Sequence, residues 1–288
     1  MRADNPAYGA LLVSCAALMF ASMGVLIRFA SHQLPNESIV FFRNLFGLLV
    51  LLPLVWQRGV SHSLKTDHPL LHLVRSLFGL AAMYCFFYAL AYLPLASAVL
   101  LNFTAPLFIP FIAMIWLKEP VSSQVAAAIL IGFTGVLLVL KPGSGLYSQV
   151  ALIGLASGVF AAFAMVSLRR LSRTEPPFRV VVIYGITCTT VSAIPLLWSW
   201  QTPDIQVLVQ LAGAGTFATA GQYLLSKGYA YAPAAQIGPF TYIAVVFAAG
   251  YGWFFWQEIP DWISVTGTLL IVIAGVLAMR QRKAPMVA

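Results

Sequence analysis

Residues 91–120 read AYLPLASAVLLNFTAPLFIPFIAMIWLKEP, and residues 230–260 read AYAPAAQIGPFTYIAVVFAAGYGWFFWQEIP. Each stretch opens on Ala-Tyr-x-Pro, runs for more than twenty residues without a charge, and closes on an acid near a Pro. A helix needs roughly 20 apolar residues to cross the hydrocarbon core of a bilayer. Each stretch therefore predicts one membrane span. The two are related by an offset of 139, which carries Ala91-Tyr92-Leu93-Pro94 onto Ala230-Tyr231-Ala232-Pro233 and Glu119 onto Glu258. One inserted residue, Ile259, then brings Pro120 onto Pro260 and Gly135-Val136-Leu137 onto Gly275-Val276-Leu277. Upstream, Pro53-Leu54-Val55-Trp56 recurs as Pro195-Leu196-Leu197-Trp198 at an offset of 142. The chain reads as a duplication, with halves at 1–143 and 144–288.

Composition agrees with a membrane protein. Hydrophobic residues fill 61% of the 288 positions and charged residues only 8%, against about 25% charged in a soluble domain. Too few charges remain to coat a globule, so lipid covers the outside. The net charge of +8 does not point to nucleic acid, because the basic residues are scattered between apolar spans and form no polar face. Cys15, Cys85 and Cys188 lie inside apolar spans and read as small buried residues, with no disulfide framework. The apolar run after Tyr8 is too long for a signal peptide and reads as a retained first span.

Apolar segments near 8–30, 37–57, 70–91, 94–117 and 121–140 give five spans. Five more follow near 149–168, 178–200, 206–230, 233–257 and 261–279. Lys and Arg in short loops stay cytoplasmic. With the amino terminus inside, 12 of the 16 Lys and Arg fall on the cytoplasmic side, and only Lys141 falls outside. The expected fold is therefore all-α: an integral membrane protein of ten transmembrane helices, both termini cytoplasmic. An odd number of spans per half forces the second half to enter the membrane upside down. Inverted repeats recur in secondary transporters, where two pseudo-symmetric halves allow inward- and outward-facing states of similar energy.

Five plus five helices, a Glu after the fourth span of each half and a Gly-rich fifth span resemble the drug/metabolite transporter superfamily, and within it the EamA family. The resemblance rests on Tyr92-Leu93-Pro94-Leu95-Ala96-Ser97-Ala98, Pro106, Lys118-Glu119, and Gly132 through Gly135 in the first half. In the second half it rests on Tyr231-Ala232-Pro233-Ala234, Gln257-Glu258 and Gly275. Family members often carry Gly before that Glu, where this chain has Lys118 and Gln257. The resemblance implies a multi-pass protein of the bacterial inner membrane, similar to exporters of amino acids and related metabolites of the YddG type. It also implies a central cavity lined by the third, fourth, eighth and ninth spans with parts of the first and sixth. The expected solutes are aromatic or apolar amino acids, with nucleosides and drugs as alternatives.

Candidate site residues follow from the interrupted spans. Helix breakers at membrane depth are tolerated where the freed backbone is buried or faces a cavity. The fourth span carries Asn102, Phe103, Thr104 and Pro106; Pro106 lacks a backbone donor and frees a carbonyl near Asn102. The ninth carries Gln236, Pro239, Thr241 and Tyr242. At the repeat offset Asn102 matches Thr241 and Phe103 matches Tyr242, and matching interruptions in both halves are a pointer to a transport site. In the third span Tyr84 and Tyr88 share a face with Phe87 and Ala91. In the eighth, Thr216, Thr219, Tyr223 and Ser226 do the same, with Gln222 at the margin. Such stripes suit a wet cavity and equally suit hydrogen bonding between helices. Arg43, beside Asn44 in the second span, could meet a substrate carboxylate, pair with Glu37, or reach the outer interface. Arg75 reads as an interfacial anchor. Glu119 and Glu258 precede Pro at the start of the next helix, where an acid complements the helix dipole. His68 and His72 have metal-compatible spacing beside Asp67, but read as a helix start.

All eight acids fall in loops, tails or span ends. Proton-driven carriers place a carboxylate or His in the membrane, so facilitated movement down the solute gradient is expected. A membrane enzyme would need clustered His or acids, or a nucleophile with its base, and a channel would need charge rings; neither pattern is present in the sequence. No cofactor or metal is expected. The implied partners are a small-molecule substrate and membrane lipid, for a monomer or weak homodimer.

Overall fold

The computed structural model describes residues 5–58, 64–117, 123–140, 146–171, 174–229, 231 and 237–280. Gln236, Lys118, Glu119 and the Ala232–Pro233 pair lie outside the described residues.

Helix α1 spans Pro6–Ala30 and α2 spans Asn36–Arg58. The Asn5 side chain accepts the Tyr8 amide at 3.0 Å and caps α1, with Pro6 at the first helical position, where its missing donor is no loss. Helix α3 runs Pro69–Tyr92 and again begins on Pro. The fourth predicted span divides into α4, Leu95–Asn102, and α5, Ala105–Leu117. Helix α6 covers Ser123–Leu140 and α7 covers Leu146–Leu171.

The seventh predicted span, 178–200, is shorter than expected. Helix α8 spans Pro177–Ala193, and a single turn, α9, follows at Leu196–Ser199. Pro195 separates them, because it supplies no amide to continue the ladder. Its repeat counterpart, Pro53, stays inside the continuous α2. Helix α10 spans Ile205–Tyr229. The ninth predicted span is a 3₁₀ turn, η1, at Gly238–Tyr242 running into α11, Ile243–Trp256, and α12 closes the described chain at Trp262–Arg280.

Among the described residues, five helical runs are long and apolar enough to cross a membrane: those of α1, α2, α3, α4 with α5, and α7. Four shorter apolar helices accompany them. Trp56, Trp198 and Trp262 stand exposed near helix ends, where indole rings favour the headgroup region.

Packing follows the duplication. Helix α1 lies against α10, and its counterpart α7 lies against α3, the counterpart of α10. The same exchange relates α2–α10 to α8–α3, and α1–α11 to the contacts of α7 with α4 and α5. Three pairs map onto themselves: α2–α8, α4–α11 and α6–α12. The last is the tightest at backbone level. A Cβ on Gly135 would sit 2.6 Å from the Gly267 carbonyl oxygen, and one on Gly267 would sit 2.8 Å from that of Gly135. Small residues are what allow helices in lipid to approach this closely.

Candidate functional site

The two broken spans pack against each other. Between α4 and α5 the chain makes a turn at Phe103 and Thr104. Pro106 cannot donate to the carbonyl of Asn102, which removes a rung of the helical ladder where the chain turns. The turn satisfies its neighbours locally. The Thr104 hydroxyl donates to the Leu101 carbonyl at 2.6 Å, and the Leu107 amide donates to the Thr104 carbonyl at 2.8 Å. Thr104 is fully buried because α7 passes it at Gly158, where a Cβ would collide with the Thr104 hydroxyl and lie 2.7 Å from the Leu101 carbonyl oxygen.

The second break meets the first. Tyr242 closes η1 with its side chain almost wholly buried, and its hydroxyl donates to the Phe103 carbonyl oxygen at 3.2 Å. The two rings lie 6.1 Å apart. Room for Tyr242 comes from α12, where any Cβ on Gly275 would overlap the tyrosine hydroxyl. Phe103 and Tyr242 are repeat counterparts, so pseudo-symmetric residues touch one another.

The remaining predicted residues separate into three groups. Asn102 is half-buried and its amide donates to the Ser157 hydroxyl of α7 at 3.2 Å, so it belongs to the same polar seam. Thr241 is half-buried beside Tyr242, and Pro106 and Pro239 sit in the first turns of α5 and η1. Tyr84 and Tyr88 form a second group on α3. The Tyr88 and Tyr92 rings lie 4.9 Å apart, and the Tyr84 hydroxyl is buried with no hydrogen-bond partner among the described residues. Gln222 and Tyr223 are exposed on α10, and Thr219 of the same stripe instead donates to the Gly47 carbonyl of α2 at 3.3 Å.

Arg43 lies on α2, away from the Phe103–Tyr242 seam. Its Nη1 donates to the Asn44 Oδ1 at 2.9 Å, and the Asn44 amide donates to the Val40 carbonyl at 2.9 Å. It forms no ion pair with Glu37 among the described residues. Arg75, expected as an interfacial anchor, stacks on a ring, its guanidinium 3.7 Å from the centroid of Tyr184.

Two charged contacts tie helix ends together. Arg28, in the last turn of α1, meets Glu258 at 2.6 Å and lies 4.3 Å from the centre of the Trp256 ring. The other Glu258 oxygen accepts the Leu95 amide at the start of α4, at 2.9 Å. Glu258 thus serves the first turn of α4, while Asp261 caps α12 by accepting the Ser264 amide at 3.1 Å. That corrects the expectation that Glu258 complements the helix following it. Gln257 holds φ 55 and ψ 32, the left-handed conformation that a Gly before the Glu would adopt most easily.

At the turn between α7 and α8, Glu175 is buried and accepts from Thr66 and from Arg179, the latter at 2.7 Å, with His72 Nε2 3.9 Å away. Burial pushes this carboxyl up, but the hydrogen bonds from Thr66 and Arg179 outweigh it and hold Glu175 below the ordinary Glu value. The His68–His72 spacing gathers no metal set: no cluster of three His, Cys, Asp or Glu exists among the described residues.

A cavity of about 610 Å³ opens between α4, α11 and α12, lined by Ser97, Val245, Gly252, Glu258 and Thr268 among others. The predicted site residues do not line it. The recurring Glu was the one sequence signal for this region.

The EamA-like transporter family profile matches residues 7–141 and again 149–280. The pseudopaline exporter of Pseudomonas aeruginosa UCBPP-PA14 is 36% identical over 278 residues, covering 96% of this chain and 97% of that protein. A riboflavin transporter of Vibrio cholerae is 28% identical, covering 94% and 92%. An S-adenosylmethionine uptake transporter of Rickettsia bellii is 26% identical, covering 91% and 90%. A solved crystal structure of 21% identity superposes with a TM-score of 0.65 over 93% of this chain and 96% of that one.

Proposed function

This chain belongs to the EamA-like transporter family, and we propose that it exports aromatic or apolar amino acids and related amino-acid-derived metabolites. It is a transporter rather than an enzyme, and a multi-pass protein of the bacterial inner membrane. The proposed form is ten spans in two inverted repeats, 1–143 and 144–288, with both termini cytoplasmic. The 12-to-1 distribution of Lys and Arg supports that orientation.

The observation that carries the reading is the Tyr242–Phe103 contact. A turn from the first half meets a 3₁₀ turn from the second at a pair of repeat counterparts, where small rotations of the halves would expose the seam to either side. The polar residues proposed to meet a solute are Asn102 and Thr241, with Tyr84 and Tyr88 on the neighbouring helix and Gln222 and Tyr223 on α10, while Thr104 holds the turn and Gln236 is proposed from the sequence alone. Flux is proposed to be facilitative, because the described spans bring no carboxylate to that seam.

The relatives span export and uptake, and by name they carry pseudopaline, riboflavin and S-adenosylmethionine. Solute counterflow in proteoliposomes, with phenylalanine, leucine, N-carboxymethyl amino acids, riboflavin and a nucleoside as competitors, sorts these classes. Competition by the amino acids and their N-substituted forms supports the proposal. Competition by riboflavin or the nucleoside alone moves the chain to vitamin or nucleoside transport.

A further inference from the structure

We propose that Arg43 and Arg75 together form a carboxylate-binding site at the junction of α2, α3 and α8. The site lies on helices other than those of the Phe103–Tyr242 seam, and Arg75 was not among the residues expected to bind a solute.

The geometry begins at Gly79. A Cβ there would sit 2.9 Å from the Tyr184 ring, 3.2 Å from its hydroxyl and 3.4 Å from Arg75 Nη1, so the missing side chain is what lets both groups converge. Arg75 stacks over that ring. Arg43 lies on α2, which packs against both α3 and α8, and those two helices pack against each other. The Cys188 thiol faces the Ser76 carbonyl at 3.7 Å.

Donors exceed acceptors in this junction. Arg43 Nε, Arg75 Nε and Nη1, the Ser76 hydroxyl and the Tyr84 hydroxyl are all buried with no hydrogen-bond partner among the described residues. The Asn44 oxygen is already taken by Arg43. Glu37, the nearest acid on α2, acts on Tyr84 and forms no ion pair with either Arg. His72, one turn before Ser76, has Glu175 as its neighbouring acid.

A buried charge without a partner is costly, and a guanidinium with free N–H groups is the preferred receptor for a carboxylate, which it binds through two parallel hydrogen bonds. Two such groups on helices that pack together, with the unpartnered Ser76 and Tyr84 hydroxyls on α3, suit an amino-acid derivative carrying more than one carboxylate. This rests on the transport reading for its occupant, but binding at equilibrium can be measured without flux. Failure of one is therefore distinguishable from failure of the other.

The test is titration calorimetry of the full chain in nanodiscs with iminodiacetate, its neutral diamide, and chloride. The expected result is saturable binding of iminodiacetate, none of the diamide, and no competition by chloride. Arg43→Gln and Arg75→Gln should each weaken binding by roughly tenfold or more, while Arg75→Lys, which keeps the charge and the fold, retains part of it. Three results would overturn the site: no saturable binding to the unmodified protein, equal binding to both Gln variants, or equal affinity for chloride or the diamide.

Discussion

The Tyr242 hydroxyl donates to the Phe103 carbonyl oxygen at 3.2 Å, and the two residues stand at the spacing that relates the halves of the chain. Each is the other's repeat counterpart. A contact between such residues sits on the pseudo-symmetry axis, where any change in the angle between the halves is felt first. Tyr242→Phe removes one donor and strands a carbonyl, costing about 0.6–1.7 kcal/mol on the scale of hydrogen bonds between membrane helices. Thermal unfolding in detergent should register that loss, together with a changed flux.

Gly275→Ala is expected to be worse than Tyr242→Phe. The added methyl overlaps the tyrosine hydroxyl and must push the ring off the axis, at about 1–3 kcal/mol. Combining it with Tyr242→Phe should recover part of the loss, and unfolding midpoints of the single and double variants check this.

Arg28 and Glu258 hold α1 to the start of α4 and the end of α11. Glu258→Gln leaves a guanidinium over Trp256 without its carboxylate. A double-mutant cycle with Arg28→Gln should give a coupling of about 1–3 kcal/mol. A coupling within 0.3 kcal/mol of zero, which is roughly the additivity limit, would mean that solvent carries the pair.

Gln257 occupies a left-handed conformation that costs a residue with a Cβ about 1–2 kcal/mol. Gln257→Gly should be neutral or stabilising, and Gln257→Val destabilising, in the same melting assay.

The Glu175 carboxyl is held below its ordinary value by Thr66 and Arg179. A lowered folded-state value means that the ionised group stabilises the fold above the unfolded Glu pKa and that this is lost as pH falls through the lowered value. The window therefore opens near pH 4.5 and extends downward. Glu175→Gln should lower stability at pH 7 by about 1–3 kcal/mol and flatten its dependence on pH below that point. An unchanged acid limb in the variant would contradict the assignment.

Spans, duplication and both interruptions were legible because hydropathy, repeats and proline chemistry are local. Pro106 and Pro239 each remove a backbone donor within an apolar run, and both spans are interrupted beside them. Pro195 and Pro53 were not separable, since each obeys the same rule and only the surrounding helices decide which one ends its span. The Arg28–Glu258 pair joins residues 230 positions apart, and a charge at a span end gives no sign of its partner. The stacking of Arg75 on Tyr184 was not legible either, because a charge near a span end gives no sign of the ring it meets or of the glycine, Gly79, that makes room for it. Glu258 was read with the helix that follows it, while its carboxylate serves α4.

The most direct test of transport through the axis is efflux of labelled phenylalanine from liposomes containing the native protein or Asn102→Ala, with and without a pH gradient. The account predicts saturable efflux from the native protein, indifferent to the gradient and reduced at least tenfold in a variant that still melts normally. Equal saturable efflux from both proteins, or uphill accumulation driven by the gradient, would contradict it.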